Sequence, residues 1–441
     1  MSTLKAVRGT RDMLPPETAL WNRIEATARD VFARYNFGEI RTPVFEDTAL
    51  FARGVGEETD IVSKEMYTWE DRARAQSEKT QTLTLRPENT AGVVRAYIEH
   101  QLGETGQLQK LYYIGPQFRR ERPQKGRYRQ FSQIGAEVIG PPSAGSESPL
   151  RDAEVLEMLA TLLDELGIKG WTLELNSVGS PTDRARYNDA LRAALVPVVS
   201  QMCADCQRRA VTNPLRVLDC KVPADQPIIE TLPVIADSLD EESKKHFAAV
   251  TTALDAAGVP YTRNHRLVRG LDYYTRTTFE FTHGGLGAQN ALLGGGRYDG
   301  LSEAIGGPKA PGIGFAMGED RLVLTLQAQE AAAPQVPQKV DAFIAPLGDA
   351  KDEIKLAQMN AAALVLAREL RHAGLWIELG EGSFRLKKSF DVADRTARQI
   401  VILGEDELQS GILTVKTFST GMQTKVDRAE LAVYLSSPAS E

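Results

Sequence analysis

The sequence predicts an α+β protein in which a mainly antiparallel sheet is followed by a separate, smaller α/β domain. Two observations lead to this prediction. Before residue 327, strand-like runs alternate apolar and polar residues with few helices between neighbouring runs, which is typical of an antiparallel sheet. After residue 338, strand-like and helical patterns take turns along the chain, which is typical of a compact α/β domain.

The antiparallel sheet is predicted from four runs with a two-residue period: TLTLRP, KLYYIGPQFRR, RQFSQIGAEVIG and TTFEFTH. Residues from about 180 to 260 are richer in helical patterns and in charge than these runs. We therefore expect them to form a helical insertion in the first domain.

The boundary between the two domains is predicted at QAQEAAAPQVPQ, residues 327–338, because Ala, Gln and Pro dominate this stretch between two patterned regions. Beyond it, VDAFIAPLG, LWIEL, QIVILG and ILTVKTF are strand-like. Between the first two of these, apolar residues recur at the spacing of a helix: Leu356, Met359, Ala363, Leu366 and Leu370.

Composition excludes several classes of protein. The formal net charge of -7 excludes a uniformly basic chain that would coat nucleic acid by charge alone, so any nucleic-acid contact must be local. The chain has no apolar run of about 18 residues, and its first residues, MSTLKAVRGTRD, have no apolar stretch typical of a secretion signal. We expect a cytoplasmic protein without a membrane span.

A basic hairpin is predicted at FRRERPQKGRYRQF, residues 118–131, where Pro123 and Gly126 favour a turn between two strands. Arg119 and Arg120 are neighbours on one strand and must point to opposite faces. Since a guanidinium group offers two parallel donors and stays ionised, it suits a phosphate. The alternative is an edge strand that is protected by solvated charges.

Aromatic and glycine-rich segments follow later in the first domain. LVRGLDYYTRTTFEF, residues 267–281, places Arg269 and Asp272 beside two tyrosines; packing alone would explain the tyrosines but not the charged pair. LLGGGRYDGL, residues 292–301, has three consecutive glycines, which we interpret as a floor beneath a flat ligand. In GIGFAMGEDRL, residues 312–322, Arg321 opposes the helix dipole and favours a phosphate ligand.

The three cysteines are Cys203, Cys206 and Cys220. Their number is odd, so they do not indicate a disulfide framework. A tetrahedral zinc site needs a fourth ligand, for which His246 or Asp219 is a candidate. The sequence favours free thiols, and zinc is the less favoured alternative.

Taken together, these motifs resemble the histidyl-tRNA synthetases, a family of class II aminoacyl-tRNA synthetases, over nearly the whole chain. FRRERPQKGRYRQF resembles the second class II motif, GIGFAMGEDRL the third, and IRTPVFED with Pro43 the dimer-forming first motif. RGLDYYT and GGGRYDGL resemble the two histidine-specific signatures, and LRPENT the segment that binds the amino group.

The resemblance implies a class II catalytic domain over residues 1–326 with the helical insertion, the linker at 327–338, and an anticodon-binding α/β domain over 339–441. It implies a homodimer that joins L-histidine to tRNA(His) with ATP and Mg²⁺ and needs no tightly bound organic cofactor. Arg119 and Arg269 would contact the α-phosphate as catalytic residues, Glu121 would lie near the adenine, and Arg321 would bind the far phosphates.

The resemblance also implies the residues that bind the other two substrates. For the α-ammonium group of histidine it implies Glu88, Thr90 and Gln133, and for the imidazole ring Glu137, Tyr273, Tyr274 and Tyr298. For the acceptor stem of the tRNA it implies Gln124, Lys125, Arg127 and Arg129. Asn89 departs from the family pattern, which more often has glycine there, and we expect this change to be tolerated.

The principal alternative function is that of a histidine-sensing regulatory subunit of ATP phosphoribosyltransferase, a synthetase paralogue. Such paralogues lack the anticodon-binding domain and lose the histidine signatures, whereas both are predicted here. A second alternative is an RNA-binding module built on an inactive synthetase domain, against which Arg119, Arg269 and Arg321 argue. Residues 65–82, a polar segment, are expected to become ordered when substrate binds.

Overall fold

A computed structural model describes residues 3–56, 59–71, 80–124, 126–268, 271–286, 290–330 and 339–436. The chain divides into two compact units, Met1–Ala333 and Pro334–Glu441. A helix at Glu319–Glu330 includes the first residues of the predicted linker. The rest of that prediction, residues 331–338, lies outside the described residues.

The first unit is built on a mixed, mainly antiparallel sheet with the strand order β1-β5-β6-β11-β10-β9-β7-β8 among the described residues. The inner neighbours pair antiparallel, and only the edge pairs β1–β5 and β7–β8 are parallel in this part of the chain. The predicted fold class is therefore confirmed. The strands are β1 (Gly38–Glu39), β5 (Gln109–Phe118), β6 (Gln130–Ile139), β7 (Trp171–Ser177), β8 (Thr262–Arg263), β9 (Thr275–His283), β10 (Ala291–Arg297) and β11 (Gly312–Gly318).

A small sheet with the order β2-β4-β3 accompanies the large one. Its strands are β2 (Phe45–Asp47), β3 (Tyr67–Asp71) and β4 (Gln81–Leu85). Strand β3 and the first two residues of β4 belong to the segment, residues 65–82, that we expect to become ordered with substrate. Residues 72–79 of that segment lie outside the described residues, so the expectation stays a prediction.

One face of the large sheet is covered by helices and forms the main core. The helices that flank the sheet are α1 (Glu17–Arg34), α2 (Thr48–Val55), α3 (Thr90–Glu99), α4 (Pro149–Glu165), α8 (Glu241–Ala257), α9 (Leu301–Ala304) and α10 (Glu319–Glu330). Leu156, Leu159 and Leu163 of α4 pack in this core together with Val250 and Leu254 of α8. Burial of these apolar side chains is the main favourable term that holds the helices on the sheet.

The period of two along β11 explains why the opposite face stays open. Ile313, Phe315 and Met317 point into the main core, whereas the alternate residues of the strand are small. Those alternate residues are Gly312, Gly314, Ala316 and Gly318. On the open face, β11 therefore carries no large side chain, which leaves room for a ligand.

The predicted helical insertion has a core of its own. Its helices are α5 (Pro181–Leu195), α6 (Ala204–Thr212) and α7 (Gln226–Glu230), joined by short 3-10 turns. The separate core extends from Val178 to Leu239 and includes Tyr187 and Leu191. Helix α8, which falls in the predicted range of about 180–260, packs instead against the main core.

The second unit is a five-stranded mixed sheet with the order β13-β12-β14-β15-β16 in the described chain. Its strands are β12 (Val340–Pro346), β13 (Ile377–Leu379), β14 (Ala397–Leu403), β15 (Ile412–Thr417) and β16 (Gln423–Asp427), and its helices are α11 (Glu353–His372), α12 (Leu386–Thr396), α13 (Glu405–Ser410) and α14 (Leu431–Ser436). The buried residues Met359, Ala363, Leu366 and Leu370 form the predicted apolar stripe of α11. Strand β16 and helix α14 were not predicted, since QTKVD is too polar to be recognised as a strand.

No helix among the described residues is both long enough and apolar enough to cross a membrane.

Candidate active site

A cavity of about 950 Å³ lies on the open face of the large sheet. Strands β6, β9, β10 and β11 form its floor with Gln133, Glu280, Gly294 and Ala316. Its other walls come from the basic hairpin, from residues 216–221 of the insertion and from residues 264–268. The cavity is large enough to hold a nucleotide.

The first two arginines of the basic hairpin follow the end of β5 at Phe118, so they are not the strand neighbours that we predicted, and their surroundings differ. Arg119 lines the cavity; its Nε donates to the carbonyl oxygen of Pro87 at 2.8 Å, and its guanidinium carbon lies 5.2 Å from the ring centre of Phe131. Arg120 is exposed, with its guanidinium carbon 5.9 Å from the ring centre of Tyr67. Only Arg119 of this pair is therefore held in place at the cavity.

Two further candidates for phosphate and adenine binding line the same cavity. Glu121 pairs with Arg127, whose Nη1 lies 3.1 Å from Oε2 of Glu121. Arg321 stands in the first turn of α10, and its Nη1 donates to the carbonyl oxygen of Ala291 at 2.5 Å. The cavity thus brings together Arg119, Glu121 and Arg321 from distant parts of the sequence.

The candidate tRNA contacts at the tip of the hairpin differ in their exposure. Gln124 and Arg127 are exposed and form an isolated antiparallel bridge. Arg129 is half-buried and bound to the N-terminal segment: its backbone N–H donates to the carbonyl oxygen of Gly9 at 2.7 Å, and its Nη1 donates to that of Arg8 at 3.3 Å. Lys125 lies outside the described residues.

Two buried carboxyl groups next to this cavity are both hydrogen-bonded to Thr90. Glu88 accepts from the backbone N–H groups of Thr90 at 2.8 Å and Ala91 at 3.0 Å, at the start of α3. The Oγ1 atom of Thr90 donates to Oε1 of Glu137 at 2.7 Å. Neither carboxylate forms an ion pair with any residue that the structure describes. Burial, the largest cause, raises the pKa of Glu88 and raises that of Glu137 to about 8.

Glycines on the open face make room for these groups. A Cβ atom on Gly314 would lie 1.7 Å from Oε2 of Glu137, and one on Gly312 would lie 2.5 Å from the Tyr298 ring. A Cβ atom on Gly296 would lie 2.7 Å from the Tyr274 ring. The three-glycine run therefore admits a tyrosine ring at Gly296, while Gly294 faces the cavity.

The predicted tyrosines form one aromatic wall. The ring centre of Tyr273 lies 4.8 Å from that of Tyr274 and 6.0 Å from that of Tyr298. The Tyr298 hydroxyl interacts with the buried Glu137 carboxyl group, whereas Oε1 of Gln133 is buried without a hydrogen-bond partner in the described part of the chain. A buried polar atom without a partner is rare in proteins, and its place beside these polar groups indicates a site for a polar ligand.

Sequence reasoning missed two residues of this face, Tyr113 and Gln117. Both side chains are buried, and both amide atoms of Gln117 lack a partner among the described residues. A Cβ atom on Gly135 would lie 2.3 Å from the Tyr113 hydroxyl. The period of two counted back from Arg119 along β5 would have identified them.

Asn89 needs no glycine-specific backbone, because its φ is −121°. Its Oδ1 accepts from Oγ1 of Thr42 at 2.5 Å and from Nη1 of Arg86 at 3.4 Å. The side chain is thus held by Thr42 and Arg86, which explains how the chain accommodates asparagine here. Arg269, which the resemblance places in this site, lies outside the described residues.

A candidate metal-binding cluster lies in the insertion. The sulfur atoms of Cys203, Cys206 and Cys220 and a carboxylate oxygen of Asp225 are all within 4.8 Å of one another. Neither fourth ligand suggested by the sequence belongs to the cluster. The Nε2 atom of His246 lies 2.8 Å from Oδ2 of Asp152, and Asp219 pairs with Arg216 at 3.2 Å.

Comparison with known proteins places this geometry in a family. A sequence model described as histidyl-tRNA synthetase matches residues 9–322, and one described as anticodon binding domain matches residues 341–437. A histidine–tRNA ligase of Koribacter versatilis (strain Ellin345) is 71% identical over 433 residues, 98% of this chain and 96% of the relative. One of Solibacter usitatus (strain Ellin6076) is 54% identical over 434 residues, 98% of this chain and 99% of the relative.

A solved structure supports the same assignment. The crystal structure of apo S. aureus histidyl-tRNA synthetase superposes with a TM-score of 0.78 at 38% identity, and the match covers 98% of this chain and 100% of that one. Both the sequence matches and this superposition extend over nearly the full chain, so they include the sheet, the insertion and the second unit. The chain belongs to the histidyl-tRNA synthetase family.

Proposed function

We propose a division of roles among the site residues for the histidine–tRNA ligase reaction of this ATP-dependent aminoacyl-tRNA synthetase. In the first step a carboxylate oxygen of histidine attacks the α-phosphorus of ATP, and pyrophosphate leaves with its Mg²⁺. In the second step a ribose hydroxyl at the 3′-end of tRNA(His) attacks the carbonyl carbon of the adenylate, and AMP leaves. Both steps develop negative charge, which fixed cations stabilise.

The buried acid pair is the observation that carries the histidine assignment. Glu88 and Glu137 are buried without a cation among the described residues, and Thr90 joins them. Burial favours the protonated form of each acid, and ionisation of either one requires positive charge close by. The α-ammonium group of histidine supplies that charge at Glu88 and Thr90, with Gln133 beside them. The imidazole ring then fits at Glu137, Tyr273, Tyr274 and Tyr298, where three tyrosine rings adjoin a buried carboxyl group.

The phosphates of ATP are assigned to the arginines of the cavity. Arg119 is held by the Pro87 carbonyl and by Phe131, so its guanidinium group is pre-oriented for the α-phosphate. Arg321 at the start of α10 binds the β- and γ-phosphates, and Glu121 binds near the adenine. Arg269 contacts the α-phosphate from the other side, an assignment that rests on its motif.

Removing the hydroxyl of Thr90 tests the histidine subsite. Thr90→Val is expected to weaken histidine binding by about tenfold, because the bond between Thr90 and Glu137 is lost and one oxygen of Glu137 is left unpaired. Thr90→Ser keeps the hydroxyl and is the matched control. Calorimetric titration of the full chain with histidine measures both. Equal affinities in the two variants would contradict the assignment.

The second unit is the anticodon-binding domain, and we assign the acceptor end of tRNA(His) to the hairpin tip with Gln124, Lys125, Arg127 and Arg129. Because Arg129 is bound to the N-terminal segment, Gln124 and Arg127 offer the exposed surface. Gln124→Glu is expected to raise the KM for tRNA several-fold by repelling phosphate, while histidine-dependent pyrophosphate exchange stays unchanged. Loss of both activities together would count against a role limited to tRNA.

A homodimer is proposed from the first class II motif and from an apolar patch on it. Val44 and Phe45 of the motif and Trp69 of β3 are exposed, and the rings of Phe45 and Trp69 are 6.0 Å apart. Phe45→Glu is expected to shift the protein towards a monomer in sedimentation-velocity experiments. An unchanged sedimentation coefficient would place the interface elsewhere. We assign the protein to the cytoplasm, where its substrates are.

The regulatory alternative is not favoured. Curated histidine–tRNA ligases match at high identity along the full chain, and the match includes the anticodon-binding domain that regulatory paralogues lack. The histidine signatures that such paralogues lose are also present, in Tyr274 and Tyr298 among others. The site and the domain organisation therefore point to the same activity.

A further inference from the structure

Three thiols and one carboxylate come together in the insertion, at the edge of the nucleotide cavity. The sulfur atoms of Cys203 and Cys220 are 3.9 Å apart, and Sγ of Cys220 lies 3.2 Å from Oδ2 of Asp225. In a tetrahedral zinc site with Zn–S bonds of about 2.3 Å, two sulfur ligands are separated by roughly 3.8 Å. The observed separation of the two sulfurs fits that geometry.

The carboxylate of Asp225 is buried beside the three sulfur atoms. Its side chain is 1% exposed, and it accepts from the backbone N–H of Cys203 at 3.1 and 3.2 Å and from the Cys220 thiol. It forms no ion pair within the described ranges of the chain. A carboxylate buried without a cation is costly, and a divalent ion bound by the same residues would remove that cost.

The backbone fixes the positions of the three thiols. Cys203 is the N-cap residue of α6, and Cys206 lies in the first turn of that helix. The backbone N–H of Val222 points at Sγ of Cys220 at 3.4 Å. The end of one helix and one turn therefore hold all three sulfur atoms beside Asp225.

We propose that Cys203, Cys206, Cys220 and Asp225 bind one structural Zn²⁺ ion. Three sulfur ligands and one oxygen in a small, mostly buried cluster suit zinc better than the harder cations Mg²⁺ and Ca²⁺. All four positions are filled by protein side chains, so no position is open to substrate. The ion has a structural role and takes no part in the ligase chemistry.

The site connects to the wall of the nucleotide cavity. Cys220 itself lines the cavity, and so do Gln226, which follows Asp225, and Arg266. The side chain of Gln226 donates to the carbonyl oxygen of Cys220 at 2.8 Å and accepts from Arg266 at 2.7 Å. A bound ion would thus hold this wall in place, and its removal would loosen the part of the cavity lined by Cys220, Gln226 and Arg266.

Metal analysis of the full-length protein tests the proposal. After dialysis against a weak chelator, the wild type is expected to retain one zinc per chain. Cobalt(II) substituted for zinc is expected to show a sulfur-to-cobalt charge-transfer band and the visible bands of a tetrahedral site. Cys220→Ser is expected to lower zinc affinity by at least about 100-fold. Asp205→Asn is the matched control, since Asp205 lies between two of the ligands in sequence but pairs with Arg208 at the surface.

Two outcomes would overturn the proposal. One is a wild-type protein that retains no zinc above the Asp205→Asn and buffer background and whose cobalt spectrum lacks the sulfur band. The other is equal zinc affinity in Cys220→Ser and Asp205→Asn. If Cys220→Ser does not fold, Asp225→Asn, which preserves shape, replaces it, and the wild-type cobalt spectrum decides independently of any variant.

Discussion

Replacing Arg119 with alanine is expected to lower the rate of histidine-dependent pyrophosphate exchange into ATP by about 10²–10³-fold, the usual effect of losing one fixed donor to a transition-state charge. The Arg119 side chain is held at the cavity by the Pro87 carbonyl and by Phe131. It therefore needs no reorganisation when charge develops on the α-phosphate. The expected loss is in kcat, with a smaller change in the KM for ATP.

Arg120→Ala is the matched control for this experiment. Arg120 is the next residue of the chain, carries the same charge, is exposed next to the Tyr67 ring and does not line the cavity. A general effect of charge on ATP binding would reduce exchange in both variants, whereas a positioned guanidinium predicts a loss in Arg119→Ala alone. Comparable losses in the two variants would refute the role given to Arg119.

Replacing Glu137 with glutamine is expected to lower kcat/KM for histidine by about 100-fold, because the ionisable partner of the imidazole ring becomes an amide of the same shape that cannot take up negative charge. The KM for ATP should stay close to that of the wild type, since Glu137 is not part of the cavity wall. Steady-state exchange kinetics with each substrate varied in turn measure both values. An unchanged kcat/KM for histidine would show that Glu137 does not bind the imidazole ring.

The same substitution is expected to change stability in the opposite direction. The pKa of Glu137 is raised to about 8 by burial, above its ordinary value of 4.5. The folded state therefore holds a proton that the unfolded state has lost, and the wild type loses stability as pH rises from about 4.5 through 8. Glutamine does not titrate, so the Tm difference between variant and wild type should grow in favour of the variant from pH 5 to pH 8.5. A constant difference would contradict the raised pKa.

A lower kcat/KM together with a higher Tm is expected when a buried carboxyl group serves to bind a cationic ligand. In the absence of histidine, Glu88 and Glu137 are both buried without a cation among the described residues. Ligand binding supplies the missing charge and should raise the Tm of the wild type more than that of Glu137→Gln. The two carboxyl groups are therefore expected to interact favourably with positive charge only when histidine is bound.

Much of the fold was predictable because local periodicity reports directly on backbone geometry. The alternation in KLYYIGPQFRR and RQFSQIGAEVIG predicted β5 and β6. Family motifs suggested which residues bind the nucleotide and histidine, and these assignments stay predictions. In contrast, α8 belongs to the main core although its sequence resembles the rest of the insertion, because its packing partners lie on α4 and cannot be inferred from its own pattern.

The arrangement of the site could not be predicted where it depends on contacts between distant segments. Thr90 and Glu137 are 47 residues apart, and no local pattern indicates that Thr90 bonds two carboxyl groups, Glu88 through its backbone N–H and Glu137 through its hydroxyl. The fourth member of the cysteine cluster, Asp225, is equally hidden, because an aspartate at a 3-10 turn has no signature of a ligand. Tertiary packing decides such contacts.

The most direct measurement of the central claim is pyrophosphate exchange into ATP by the wild-type chain with histidine and with other amino acids, repeated for Arg269→Ala. We expect exchange with histidine alone and a loss of more than about 100-fold in the variant. Exchange supported equally by other amino acids, or no exchange while histidine still binds, would contradict the account. The second of these results would instead favour the histidine-sensing role.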